Sequence, residues 1–313
     1  WSYKTGAFFF IVSRTIGAAF RLYIVVNVLQ LFIFDAWGVP FWVTVLAFIL
    51  LILLYTYEGG VKTIVLTDTL QTTFMLLAIV ISVFYISNEL DMGIFDLFSA
   101  IHAKGYDKMF NMDWHSKSYF LKQFFGGMFI AVAMTGLDQE MMQKNISVRT
   151  LGDSQKNIFS FSFVLVFINL LFLCLGALLF LYSTAKGIPL PEKSDDLFPI
   201  IALNHLGGLV GIVFIIGLIS AAYPSADGAL TALTSSFCID FLNFKKSAWT
   251  EEHKKKIRYI VHFSFAALLL LVIIIFRAIN DDAVISNLFT VASYTYGPLL
   301  GLFAYGILAT RAI

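Results

Sequence analysis

The chain has 313 residues, 59% hydrophobic and 13% charged, with a net charge of +1. Soluble domains run to about half apolar and about a quarter charged, so this composition, with a mean hydropathy of +0.85, excludes an ordinary soluble domain and describes an integral membrane protein. The near-neutral charge gives no case for nucleic acid, and Cys174 and Cys238 sit inside apolar runs as small packing residues.

A helix crosses the bilayer with about 20 mainly apolar residues. Such segments fall at 7–34, 40–57, 62–88, 119–142, 155–184, 207–242, 257–279 and 284–310, with no soluble domain between them. The expectation is one all-α transmembrane domain over residues 1–313. Its start at Trp1, without an initiator Met or signal peptide, reads as a cut from a longer parent. Basic residues favour the cytoplasm. Lys245, Lys246, Lys254, Lys255, Lys256 and Arg258 place the loop 243–258 inside. Lys144, Arg149 and Lys156 then fall inside, as do the Glu58-to-Lys62 turn and the N-terminus with Lys4. Outside lie Asp281, Asp282 and the long 89–117 segment with Glu89, Asp91, Asp96 and Trp114.

The first span carries Arg14 and Arg21 on one face, seven residues apart. Arg14 is close enough to the cytoplasm to snorkel. Arg21 lies about 20 Å in and needs a carboxylate, either Asp68 or Asp227 of this chain or one on a substrate. Asp68 heads the third span among Thr67, Thr69, Gln71 and Thr72. A short carboxylate there reaches water poorly and points to an ion or proton role; a carboxylate that snorkels to the interface or pairs with a basic side chain is the alternative. The fourth span is expected to break at Gly126-Gly127 and across 135–140, the sixth at Pro224, and the eighth across 293–298. Irregular backbone at membrane depth needs protein or a water-filled cavity over it, and interrupted helices around a central site are the pattern of secondary transporters. Pro224 lacks an N–H, which frees the carbonyl of Ser220. That oxygen, the Ala221 carbonyl and the Ser225 hydroxyl form a ligand set for a hard cation, with Asp227 supplying charge; a simple kink with Ser225 bonded to its own turn is the alternative. The five His residues are scattered, without metal-ligand spacing. No nucleophile motif, phosphate loop or redox pair is visible.

Together these stretches resemble the sodium:solute symporter family, whose members include sodium–glucose and sodium–proline carriers. The resemblance rests on Tyr55-Thr56-Tyr57-Glu58-Gly59-Gly60 with VLTDTLQ over 65–71, on Leu137-Asp138-Gln139 with the basic loop to Lys156, on Ser220 to Asp240, and on Ser293-Tyr294 with Gly297-Pro298. It implies a leucine-transporter-like inverted-repeat fold in which these eight helices correspond to core helices three to ten. It implies that Ala221 and Ser225 supply ligands of a common sodium site. Pro224 replaces a usual hydroxyl residue there, to be compensated by the Ser220 carbonyl or Asp227. Asp68 falls on the acidic residue of a further sodium site, with Asp227 beside it, and Arg21 falls where sialic-acid carriers place an arginine for the substrate carboxylate.

The reading is a sodium-driven symporter for a small polar, sialic-acid-like solute, working by alternating access without covalent chemistry. Sodium is the only expected cofactor. Substrate is expected at Arg21 with help from Gln139, Phe289 or Tyr294. Membrane lipid is an expected contact, the expected oligomeric state is a monomer, and the expected location is a bacterial inner membrane. The alternatives are a carrier of a neutral sugar or amino acid, and a transporter-like sensor domain.

Overall fold

The computed structural model describes residues 2–56, 61–108, 110–116, 118–244, 247–279 and 284–309. Outside the described residues lie Tyr57 to Gly60 of the glycine turn, Lys245 and Lys246 of the basic loop, and Asp281 and Asp282, as do the side chains of Thr67, Gln139, Pro224, Ser225 and Phe289.

Eleven α-helices follow one another among the described residues: α1 Ser2–Leu29, α2 Phe41–Thr56, α3 Val61–Glu89, α4 Ile94–Ala103, α5 Phe120–Gly136, α6 Gln139–Ile146, α7 Leu151–Lys186, α8 Leu197–Asn204, α9 Gly208–Ser236, α10 Glu251–Ile279 and α11 Val284–Leu308. Single π turns extend α1 over Gln30–Phe34 and α9 over Phe237–Phe241. All eight expected spans are present as helices. Six are long and apolar enough to cross a membrane; the others are the shorter apolar stretches Phe41–Leu54 and Phe120–Gly136.

Helix starts follow local chemistry. The Thr150 hydroxyl accepts from the Asp153 N–H at 3.1 Å to cap α7, and Thr250 accepts from the His253 N–H at 3.3 Å at the head of α10. Three expected interruptions are absent. α5 runs unbroken through Gly126-Gly127, α9 through Pro224, and α11 through Pro298. Proline's fixed φ is itself helical, so its cost is one lost hydrogen bond and local crowding rather than an obligatory unwinding. Membrane helices tolerate that loss when neighbours re-satisfy the freed group.

The chain divides into two units interleaved in sequence. The first takes residues 1–60, 126–144 and 222–313. In it α1 packs along α10 and α11, and α2 along α10. Phe20 and Tyr23 of α1 stack against Phe276 of α10, with centroids 4.1 and 4.9 Å apart. The Arg277 guanidinium covers the Phe41 ring at 4.0 Å. The α1–α2 corner is locked by Gln30, which is 1% exposed. Its Nε2 donates to Asp35 (2.5 Å) and to the Val39 carbonyl (2.6 Å), while its Oε1 accepts from Thr44 (2.5 Å). A buried amide so fully satisfied fixes one geometry for the corner.

The second unit holds residues 61–125 and 145–221. α7 packs on α3, α4 and α8. The first half of α9 lies against α3 so closely that a Cβ on Gly217 would stand 2.7 Å from the Ala78 Cβ. Small residues let apolar helices approach in this way. In the last turn of α4, the His102 ring meets the Asp107 carboxylate beyond the helix at 2.5 Å on the surface. That bond raises the His102 pKa and lowers that of Asp107.

Two outcomes follow. Gly217→Ala overpacks the α3–α9 contact and costs about 1–3 kcal/mol, read as a lower Tm in detergent, and adding Ala78→Gly recovers most of it. His102 keeps its proton to higher pH than an isolated imidazole. The raised folded value means the pair's contribution is complete below the unfolded His pKa and disappears as pH climbs through the folded one. Asp107→Asn returns the His102 titration to about 6.5, followed by its ring proton shifts.

Candidate functional site

The fourth span breaks at Leu137-Asp138, between α5 and α6. Asp138 sits at the N-cap of α6, where its Oδ1 accepts from the Met141 N–H at 3.2 Å. Its other oxygen takes Arg14 Nη1 at 2.8 Å, with the two side chains 4% and 10% exposed. One carboxylate therefore satisfies a helix end and a cation at once. This corrects the expectation for Arg14, which does not reach the cytoplasm. It turns inward, because a capping carboxylate within reach satisfies it better than a stretched path to water.

Two turns further along α1, Arg21 lines a small cavity with Ser13, Gly17, Met134, Val291, Ala292, Thr295 and Tyr296. The cavity holds about 40 Å3, room for roughly three waters and not for a sugar. Its polar floor is the Thr295 hydroxyl, 3.1 Å from the Ser13 hydroxyl and 2.9 Å from the Val291 carbonyl. Tyr294, expected at the substrate, is 76% exposed and absent from this lining. The physical reason is helical periodicity. Residues 291, 292, 295 and 296 of α11 share one face, and position 294 projects from another. Tyr296, which the sequence reading did not place at the substrate, lines this cavity with Arg21. Gln139 stands at the head of α6 and Phe289 in the first half of α11, with side chains outside the described residues.

On α9, Ser220 is buried, Ala221 is exposed, and Asp227 is 1% exposed. Asp227 stands beside a seam of buried small residues, Ala222, Ala226, Ala229 and Ala232. Ser225 lies between them on the backbone of the same helix. Asp68 is half-buried on α3, in the second unit. Among the described residues no three His, Cys, Asp or Glu side chains group as a transition-metal site.

A larger cavity, about 540 Å3, opens among the start of α1, the π turn after α9 and the end of α11. Phe10, Leu137, Leu299 and Phe303 form apolar walls, and Asp240 supplies its charged end. Tyr3 donates to Asp240, and Ser236 donates to its second oxygen at 2.6 Å.

Removing one partner of the Arg14–Asp138 pair strands a buried charge. Arg14→Ala is expected to cost about 3–5 kcal/mol, seen as a large loss of Tm in detergent. The double change Arg14→Met with Asp138→Leu costs less than the sum of its single changes, and a double-mutant cycle measures the difference.

The family model of the sodium:solute symporter family matches residues 8–312. A sodium/sialic acid symporter of Proteus mirabilis is 24% identical over 272 residues, covering 84% of this chain and 54% of that protein. A sodium/sialic acid symporter of Aliivibrio fischeri is 23% identical over 270 residues, covering 84% of this chain and 53% of that protein. A sodium/pantothenate symporter of Haemophilus influenzae is 24% identical over 295 residues, with 88% and 57% covered. The chain thus spans about half the length of the curated relatives it matches. A solved structure of a Na+-coupled sialic acid symporter, in a substrate-bound outward-open state, superposes with a TM-score of 0.83 at 21% identity over 98% of this chain and 63% of that one. This likeness shows the all-α, leucine-transporter-like fold that the sequence motifs implied. With the family model running almost end to end, the chain belongs to the sodium:solute symporter family, a family of multi-pass membrane transporters rather than enzymes.

Proposed function

We propose that this protein is a sodium-driven symporter of a small carboxylate-bearing solute, working by alternating access in a bacterial inner membrane as a monomer. The observation that carries the reading is Arg21, a guanidinium on a membrane-spanning helix that lines a cavity together with Ser13, Thr295 and Tyr296. A guanidinium binds a carboxylate through two parallel hydrogen bonds. The relatives' named solutes, sialic acid and pantothenate, are both carboxylic acids. The 40 Å3 cavity is then a closed form of the site. The 540 Å3 cavity at the N-terminal end of α1, cytoplasmic by the distribution of Lys and Arg, suits a route of release.

Sodium enters as co-substrate. Its proposed ligands on α9 are the carbonyls of Ser220 and Ala221 and the hydroxyl of Ser225, with Asp227 close along the helix. Because Pro224 has no N–H, the Ser220 carbonyl lacks its helical donor, and a buried carbonyl needs some partner. Asp68 is the proposed carboxylate of a further ion site. Energetics favour two ions for an anionic solute. A tenfold sodium gradient supplies about 1.4 kcal/mol per ion, and 100 mV adds about 2.3 kcal/mol per net charge moved. One sodium with a monoanion moves no net charge. A second sodium brings the total to roughly 5 kcal/mol, several-thousandfold accumulation. The rise in solute affinity on sodium binding must be matched by an equal rise in sodium affinity on solute binding.

The test is uptake of radiolabelled sialic acid and pantothenate into proteoliposomes holding the protein, with and without an inward sodium gradient. Sodium-dependent accumulation of either acid is expected. Arg21→Ala cuts it about tenfold to a hundredfold, the size of a lost charged hydrogen bond. Asp227→Asn raises the sodium concentration needed for half-maximal uptake. Uptake indifferent to sodium overturns the coupling, and sodium-driven uptake of a neutral sugar untouched by Arg21→Ala overturns the carboxylate assignment.

A further inference from the structure

In the second unit, α3, α4 and α7 enclose an apolar cavity of about 370 Å3. Its walls come from Val80 and Phe84 of α3, Leu97 and Phe98 of α4, and Leu171 and Leu178 of α7. Among the described lining residues only Ser87 and Cys174 carry a polar or sulfur side-chain atom, and the Ser87 hydroxyl already donates to the Met92 carbonyl at 2.5 Å. A polar cavity of this volume would fill with water, whereas apolar walls keep such a space dry and receptive to hydrocarbon.

The mouth of the cavity is greasy. Phe84 is 60% and Phe98 53% exposed, and they continue the exposed apolar faces of α3 and α7, two helices long enough to cross the membrane. What surrounds such faces is acyl chain. The depth is set by the helix ends. α3 finishes at Glu89 and α7 at Lys186, and these two side chains pair at 2.9 Å while staying about half exposed. On α7 the lining runs from Leu178 to Phe167, eight to nineteen residues before Lys186, roughly 12 to 28 Å below it along the helix. The cavity therefore runs down into the hydrocarbon layer from beneath a neighbouring ammonium and carboxylate. α4 roofs it: Leu97 and Ile101 are buried, and Phe95 is exposed, the disposition of a helix lying in the interfacial plane.

We propose that one zwitterionic phospholipid of the phosphatidylethanolamine type docks here. One acyl chain fills the α3–α4–α7 cavity, the phosphate pairs with Lys186, and the head-group ammonium pairs with Glu89. The occupant is lipid rather than polypeptide because the mouth is continuous with the bilayer-facing surface, and zwitterionic rather than anionic because the head-group pair presents one charge of each sign.

Native mass spectrometry of the detergent-purified protein, titrated with dioleoyl phosphatidylethanolamine or dioleoyl phosphatidylglycerol, tests this independently of transport. One retained phosphatidylethanolamine is expected, in several-fold preference to phosphatidylglycerol. Cys174→Trp fills the cavity and lowers retention at least tenfold. Val80→Phe, a milder change at the partly exposed wall, acts in the same direction, and melting without added lipid verifies that both variants fold. Glu89→Gln with Lys186→Gln abolishes the preference between head groups. Retention unchanged in both cavity variants, equal retention of the two lipids by the unaltered protein, or no retained lipid at all overturns the proposal; the last result leaves the cavity to a polypeptide segment.

Discussion

A guanidinium and a carboxylate held 2.8 Å apart and out of water fix the middle of the first unit. Each charge alone would cost several kcal/mol to bury, so neither can be placed without the other. Asp138 has to leave the helical path to reach both Arg14 and the Met141 N–H, and the fourth span breaks there because of it. The pair also holds the α5–α6 break against α1. Arg21 is seven residues further on, about 10 Å along the same helix. The position of the proposed solute contact thus depends on an ion pair that touches no solute.

Around that pair the packing depends on small side chains. Lipid offers no hydrophobic drive for helices to associate, since its tails are as apolar as leucine. Contact area has to come from close approach, and α9 supplies it twice. Its first half has Gly217 against Ala78 of α3, and its second half carries the buried alanines 222, 226, 229 and 232. Asp227 is carried among those alanines at 1% exposure, where a carboxylate is tolerated only with compensating partners. An oxygen-rich cation site on α9 is consistent with that placement.

The eight spans were legible because a bilayer crossing demands a length of apolar sequence that little else produces. The family was legible because its motifs lie in order along nearly the whole chain, and the family model agrees over residues 8–312. Of the breaks, the one expected across 135–140 was legible and falls at Leu137-Asp138; the others were not. Pro224, Pro298 and Gly126-Gly127 all weaken helices locally, yet neighbouring contacts decide whether a helix survives them, and these survive. Arg14 was misplaced for a related reason: its partner is 124 positions away in sequence, as the numbers 14 and 138 show, and no local rule connects them. Tyr294 lies off the face of α11 that carries positions 292, 295 and 296 to the small cavity, and its role at the substrate stays a proposal. The ion-binding roles of Asp68, Ser220, Ala221, Ser225 and Asp227 remain proposals, carried by residue type and position along each helix.

The π turn at Gln30–Phe34 has a consequence for descent. A π turn takes up one residue more than the α turn it replaces, so it is how a helix absorbs a single inserted residue without rotating everything on both sides. Here it lets α1 keep its Arg14 and Arg21 face while still delivering Gln30 to Thr44 and Asp35 at the corner. A homologue lacking one residue in this stretch would preserve both ends by reverting to plain α-helix. A one-residue insertion or deletion in this stretch would therefore be absorbed at the bulge and leave both the Arg14–Arg21 face and the corner lock in place.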